Sequence, residues 1–188
     1  MVTNEMTVSF SALSRNEAFS RVVIAAFAAQ LNPDLNDLTD IKTAVSEAVT
    51  NAVIHGYDGI ENGVVTLNCR LFEGKEADSE ETTAAGEGAS AVSRKEDCAE
   101  EKCIRHGQCR GHEKTERSAL IEIVVKDEGR GIEDINRAKE PLYTSKPELE
   151  RSGMGFTVME TFMDSVQIIS EKDKGTTVIL TKKINGAW

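Results

Sequence analysis

Leu38, Ile41, Val45, Ala48, Val49, Ala52 and Val53 recur three and four residues apart. At roughly 100° per residue they form one apolar stripe, and a helix with such a stripe packs it into a core. Glu47 and Asn51 fall on the opposite side, one turn apart, facing outward or into a cleft. A glutamate there can act as a general base, and an asparagine can offer its carbonyl oxygen to a hard cation such as Mg²⁺. A solvated helix face is the ordinary explanation of a lone Glu-x-x-x-Asn. Three downstream motifs argue against it here: Asp127-Glu-Gly-Arg-Gly131, Gly153-Met-Gly155 and Gly175-Thr-Thr177. The helix is expected to start at Asn36-Asp37 and to end at Gly56.

Alternation sets the strands. Met6, Val8, Phe10 and Ala12 share one side of a first strand. Ser14-Arg-Asn-Glu17 then has the capping-box pattern of a helix start, with Phe19, Val22, Val23, Ala26, Phe27 and Gln30 following at helical spacing. Residues 64–72 and 119–127 read as strands. In the second, Ile121, Ile123 and Val125 share a face, and parity puts Asp127 on it. A carboxylate there is costly unless partnered, so it is expected to meet a specific group or to cap the Asp-Glu-Gly turn. Gly153 and Gly155 open a helix with Phe156, Met159, Phe162 and Met163 on one face. Residues 165–170 and 176–181 finish as a strand pair turning at Asp173-Lys-Gly175.

A chain of 188 residues is long enough for one sizeable core, and a single domain over 1–188 is expected. Residues 74–118 stand apart. They hold 11 acidic and 8 basic residues with almost no bulky apolar side chain, so they cannot build a core. They sit where a short hairpin turn would suffice and read as a mobile, charged insertion. Within it, Cys103, His106, Cys109 and His112 follow at three-residue intervals with Cys98 nearby, a donor set that suits tetrahedral Zn²⁺. An incidental scatter of Cys and His in a charged loop is the competing reading.

The net charge of −10 disfavours a general nucleic-acid or anionic-membrane surface and leaves room for a basic protein partner. No basic-then-apolar leader opens the chain, and no run approaches the roughly 18 apolar residues of a membrane span. Four cysteines are too few for a secreted disulfide scaffold. A soluble cytoplasmic protein is the expectation.

Gly153 and Gly155 bracket a helix N-terminus, where free N–H groups and the helix dipole attract anions and glycine lets the main chain approach closely. The polar, proline-bounded segment before them suits a lid, with Lys146 and Arg151 available for phosphate charge. No P-loop and no His-Arg-Asp kinase signature is present.

The ordered set Glu47…Asn51, Asp127-x-Gly-x-Gly131, Gly153-x-Gly155 and Gly175-Thr-Thr177 resembles the Bergerat-fold (GHKL) ATPases shared by gyrase, Hsp90, histidine kinases and MutL. Outside the insertion the chain is more specifically similar to the anti-sigma F factors of sporulation (the stage II sporulation protein AB family of serine-protein kinases). The stretches Ser46-Glu-Ala-Val-Thr-Asn-Ala-Val-Ile-His-Gly-Tyr57 and Pro147-Glu-Leu-Glu-Arg-Ser-Gly-Met-Gly-Phe156 carry that likeness.

The resemblance implies an α+β fold, a two-layer sandwich with a mixed, mostly antiparallel sheet and helices on one face. It implies ATP and Mg²⁺ as cofactors. Asn51 would ligate the metal, and Glu47 would orient or deprotonate the attacking hydroxyl. Asp127 would accept the adenine amino group and Thr177 would support the same base. Gly129 and Gly131 would keep that wall open, while Gly153, Gly155 and the Arg151 region would cover the phosphates. It further implies a homodimer that sequesters a sporulation sigma factor and phosphorylates a small anti-anti-sigma protein on serine. Arg21 lies roughly 200° round its helix from Phe19, so it is expected to be exposed and free to contact a partner.

Other readings are a nucleotide-gated sigma-binding module without phosphotransfer, a general-stress anti-sigma kinase with the same motifs, and a stand-alone histidine-kinase catalytic domain. Retention of Glu47 argues against the first, because binding alone needs no base. No helical pair with an exposed phospho-acceptor histidine supports the last. Because every motif residue lies outside 74–118, closing the hairpin with a short turn is expected to preserve ATP binding.

Overall fold

The alternating segments pair into one sheet. The computed structural model describes residues 1–58, 60, 62–73, 117–140 and 153–186. In it β1 (Val2–Ser11), β2 (Val64–Glu73), β3 (Arg117–Lys126), β4 (Ser165–Glu171) and β5 (Gly175–Gly186) lie in the order β1-β2-β3-β5-β4. All pairings among the described residues are antiparallel. Side chains directly opposite one another share a face, so the register stacks the buried residues across the strands. Leu67 faces Val125, Cys69 faces Ile123, and these face Val178 and Leu180 in turn. Each such aliphatic side chain contributes about 1.5–3 kcal/mol by leaving water. The other face is mixed: Val124, Ile179 and Ile169 lie on it among polar side chains, with Asn68 donating to Glu5 and Thr7 and Ser9 bonded to Thr66.

β3 begins at Arg117, two residues before the strand start expected from the alternation, because Arg117 and Ser118 still pair with Gly186 and Asn185.

Helices α1 (Arg15–Ala28), α2 (Leu35–Asn51) and α4 (Gly155–Phe162) pack on the apolar face; a single-turn helix, α3 (Ile135–Ala138), precedes α4. α2 starts at Leu35, slightly earlier than expected, because the Asp34 carboxylate caps it by accepting from Asp37 N at 2.7 Å. Its stripe is buried as read, with Leu38 and Val53 at the margin. Past Asn51 the helix widens into a π-turn, Ala52–Gly56, and stops at the glycine.

α1 departs from expectation in two ways. Ser14 has helical backbone angles and its side chain caps nothing, so the capping box does not form. Glu17 is drawn instead to α2, where its Oε1 accepts from Ser46 Oγ at 2.8 Å and pairs with Arg21. The helix is also rotated: Ser20, Ile24, Phe27 and Ala28 are buried, whereas Phe19 is 46 % and Val22 69 % exposed. An Ala- and Val-rich helix is apolar on two sides, and α2 takes the side carrying Ile24 and Phe27. Phe19 packs edge-on against Phe10, ring centres 5.9 Å apart. No helix among the described residues is long and apolar enough to cross a membrane.

Candidate functional site

The end of α2, the turn after β3, the start of α4 and the first residues of β5 enclose a cleft of about 560 Å³. One wall is built around Asp127, which is 4 % exposed at the inward end of β3. Its Oδ1 accepts from Gly129 N at 2.9 Å and from Thr176 N at 3.2 Å. Burial pushes its carboxyl above the ordinary carboxylate range, while these two N–H groups pull the other way. Both donors fall on Oδ1, which leaves Oδ2 as an acceptor for a further group. The turn-capping reading of Asp127 is what these Oδ1 bonds describe.

The wall is stitched to α2 by close backbone approach. A Cβ on Gly129 would stand 2.0 Å from Gly56 O, which accepts from Arg130 N at 2.9 Å. Only glycine fits there. Tyr57 fixes the same junction, its hydroxyl donating to Val64 O at 2.5 Å and accepting from Glu128 N at 2.8 Å.

At the opposite end, Gly155 opens α4 directly over the polar side of α2. A Cβ there would lie 3.2 Å from Glu47 Oε2 and 3.2 and 3.3 Å from the two terminal atoms of the Asn51 amide. Glu47 and Asn51 therefore stand side by side beneath the N-terminus of α4, where backbone N–H groups favour anions. Among the described residues no three His, Cys, Asp or Glu side chains gather as a metal cage. A cation at Asn51 would take its remaining ligands from phosphate and water, the habit of Mg²⁺.

Of the residues singled out from the sequence, Asn51, Asp127, Gly131, Gly153 and Gly155 line the cleft, Gly129 supports its wall, and Glu47 abuts Gly155. Thr177 does not line it. Val178 and Leu180 are buried inward on β5, so the pleat gives the inward place to Thr176 and turns Thr177 to the other face, opposite Lys126. Counting back from Val178 would have found this. Arg21 is not simply solvated: besides Glu17 it donates to Ser46 Oγ at 3.0 Å. Lys146 and Arg151 lie outside the described residues, as do Cys98, Cys103, His106, Cys109 and His112.

Asp58, Arg130 and Arg137 also line the cleft, and none of them stands out in the sequence as a site residue. Arg130 clasps Asp58, with its guanidinium 2.7 Å from the Asp58 carbonyl oxygen and 3.2 Å from the carboxylate. Arg137 sits on α3, whose four residues are too few for a periodic pattern.

Residues 10–182 match the histidine kinase-like ATPase domain family. The chain is 47 % identical over 182 residues to an anti-sigma F factor of Clostridium perfringens, covering 97 % of this chain and 98 % of that protein. It is 43 % identical over 184 residues to an anti-sigma F factor of Bacillus thuringiensis, covering 98 % and 95 %. Among solved structures, the RsbU and RsbW domains of Rv1364c from Mycobacterium tuberculosis align with a TM-score of 0.49 at 17 % identity, covering 99 % of this chain and 34 % of that one.

Proposed function

The chain belongs to the histidine kinase-like ATPase domain family and, within it, to the anti-sigma F factors, and from that footing we propose a cytoplasmic kinase with two protein partners. It sequesters a sporulation sigma factor, and it transfers the γ-phosphate of ATP to a serine of a small anti-anti-sigma protein. The observation that carries this reading is the pairing of Glu47 with Asn51 under Gly155, at the end of the cleft opposite the buried Asp127.

The adenine amino group donates to Asp127 Oδ2, while Gly129 N and Thr176 N hold Oδ1 and so fix the carboxylate plane. The phosphates lie toward the α4 N-terminus. Asn51 would hold a Mg²⁺ shared with them, and that ion supplies neutralisation of the charge on the phosphates. Glu47 accepts the proton of the partner's serine hydroxyl. The serine oxygen bonds to the γ-phosphorus as the bond to the bridging oxygen breaks, and ADP departs with that electron pair. A nucleotide-gated binding module would need Asn51 and Asp127 but has no use for a carboxylate at Glu47.

The test is incubation of the purified protein with labelled ATP, Mg²⁺ and candidate partners, followed by mapping of the labelled residue. A phosphoserine on an anti-anti-sigma protein, abolished by chelation, is expected. Retention of a sigma factor with no labelled partner would favour the binding module instead.

The same reading includes a homodimer. Phe19 and Val22 are exposed on α1 beside the edge strand β1, with Ala18 and Ala26 continuing the outward row. Contiguous apolar surface of this kind is what a partner covers. Val22→Asp is expected to shift the protein from dimer to monomer in sedimentation equilibrium while leaving ATP binding unchanged. A variant that sediments like the wild type would move the dimer interface elsewhere.

A further inference from the structure

Beyond the cleft, a lysine stands at the far ends of the two helices that carry it. Lys182 points inward from β5 between Leu180 and Ile184 and is 9 % exposed. A buried ammonium is costly unless partnered. This one donates to Phe162 O at 2.9 Å and to Asp40 Oδ2 at 3.1 Å, and it pairs with Asp37 Oδ1 at 3.4 Å. Burial alone would lower its pKa, but the hydrogen bond and charge of Asp40, with Asp37 behind, hold it above the ordinary lysine value. The group is therefore cationic at neutral pH, and the stability it lends is lost only as pH rises through that raised value.

Phe162 is the last residue of α4, where unpaired carbonyls and the helix dipole favour a cation. Asp37 and Asp40 lie in the first part of α2. At the other end Gly155, the first residue of α4, lies so close over Glu47 and Asn51 that a Cβ on it would stand 3.2 Å from each side chain. From Asp40 to Glu47 along α2, and from Phe162 back to Gly155 along α4, the interval is the same seven residues. That interval is about 10.5 Å of helix in each. The two helices therefore run antiparallel, with their register pinned at one end by Lys182 and at the other by the glycine contact.

We propose that Lys182 is a positioning residue for the phosphate end of the cleft. By fixing how far α4 sits along α2, it sets where the backbone N–H groups at Gly153 and Gly155 stand relative to Asn51 and Glu47. The inference rests on the assignment of the cleft to ATP. The adenine end hangs on other parts, namely the turn after β3, the π-turn and Thr176, so loss of the lysine acts unequally on the two ends of the nucleotide.

Lys182→Met keeps a straight apolar stem and removes the charge. Binding of Mg·ATP and of adenosine, together with the rate of serine phosphorylation, is measured well below the melting temperature of each protein. ATP affinity is expected to fall about tenfold and kcat by about 10–100-fold, as for an ångström-scale misplacement, with adenosine affinity unchanged. Equal weakening of ATP and adenosine, or unchanged values for both ligands and kcat, would overturn the proposal. If the methionine variant does not fold, Asp40→Asn removes the nearer charge partner with little change of shape. It is expected to show the same inequality between ATP and adenosine, and equal effects on the two would overturn the proposal there too. A wild-type chain that binds neither ligand would defeat the ATP assignment itself.

Discussion

Replacing Glu47 with alanine is expected to slow serine phosphorylation by about 10²–10⁴-fold, the usual worth of a general base, and to leave ATP binding largely intact. The side chain stands beside Asn51 under the start of α4 and is not among the residues that line the cleft. It lies on the polar side of α2, away from the buried stripe, so its removal opens no cavity in the core. A serine hydroxyl is a poor nucleophile until its proton has somewhere to go. Glu47→Gln separates basicity from shape, because it keeps the size and the hydrogen-bonding reach of the side chain. It should be nearly as slow as the alanine variant. Single-turnover transfer from labelled ATP, with nucleotide affinity measured separately, provides the check. An unchanged transfer rate in either variant would remove Glu47 from the chemistry.

Asp127→Asn is expected to weaken ATP binding by roughly 30–150-fold while leaving the nucleotide-free protein as stable as the wild type or more so. The two effects have different origins. The asparagine carbonyl can still accept from Gly129 N and Thr176 N, which keeps the wall in place. Its NH₂ then takes the position of Oδ2 and confronts the adenine amino group, donor against donor. One lost hydrogen bond and one unmatched buried donor cost about 2–3 kcal/mol, which gives the affinity range.

Stability moves the other way because burial penalises the ionised carboxylate and raises its folded-state pKa. The folded chain thus holds that proton more tightly than the unfolded chain does. Ionisation of Asp127 works against folding at pH above the raised value, and the penalty is relieved as pH falls through it. The neutral amide removes this penalty. Thermal melting with and without ATP reads both effects. A lower melting temperature without ATP, combined with undiminished ATP affinity, would contradict the role given to this carboxylate.

What could be read from the sequence was whatever rests on a period counted from a fixed residue. The α2 stripe and the inward parity of Asp127 are of this kind, since burial of Ile121, Ile123 and Val125 forces the side on which the next odd-numbered residue falls. Where tertiary partners decide, local pattern fails. Ser14 and Glu17 have the residue types of a capping box, but Ser46 and Arg21 offer Glu17 a better-placed pair of donors. The side chains of α1 are apolar on two faces, so hydrophobicity alone could not say which face meets α2. Thr176 and Lys182 were both legible by parity from Val178 and Leu180. The resemblance points instead to Thr177, and the strand expected over 176–181 stops one residue short of Lys182. The pairing of Gly56 with Gly129 had no local signature, because it is a contact between backbones far apart in the chain.

That contact binds two distant stretches of chain into a single cooperative unit. Gly56 and Gly129 meet only when α2 and the turn after β3 have both reached their native places, and the Tyr57 hydroxyl bridges the same junction. A partly unfolded chain therefore offers a ligand of the cleft no half-built wall. A ligand that binds the native state alone deepens its free-energy well by about 2.7 kcal/mol when present at a hundred times its dissociation constant. On those terms nucleotide supply acts on persistence as well as on catalysis: the fraction of chains open to proteolysis falls as ATP rises.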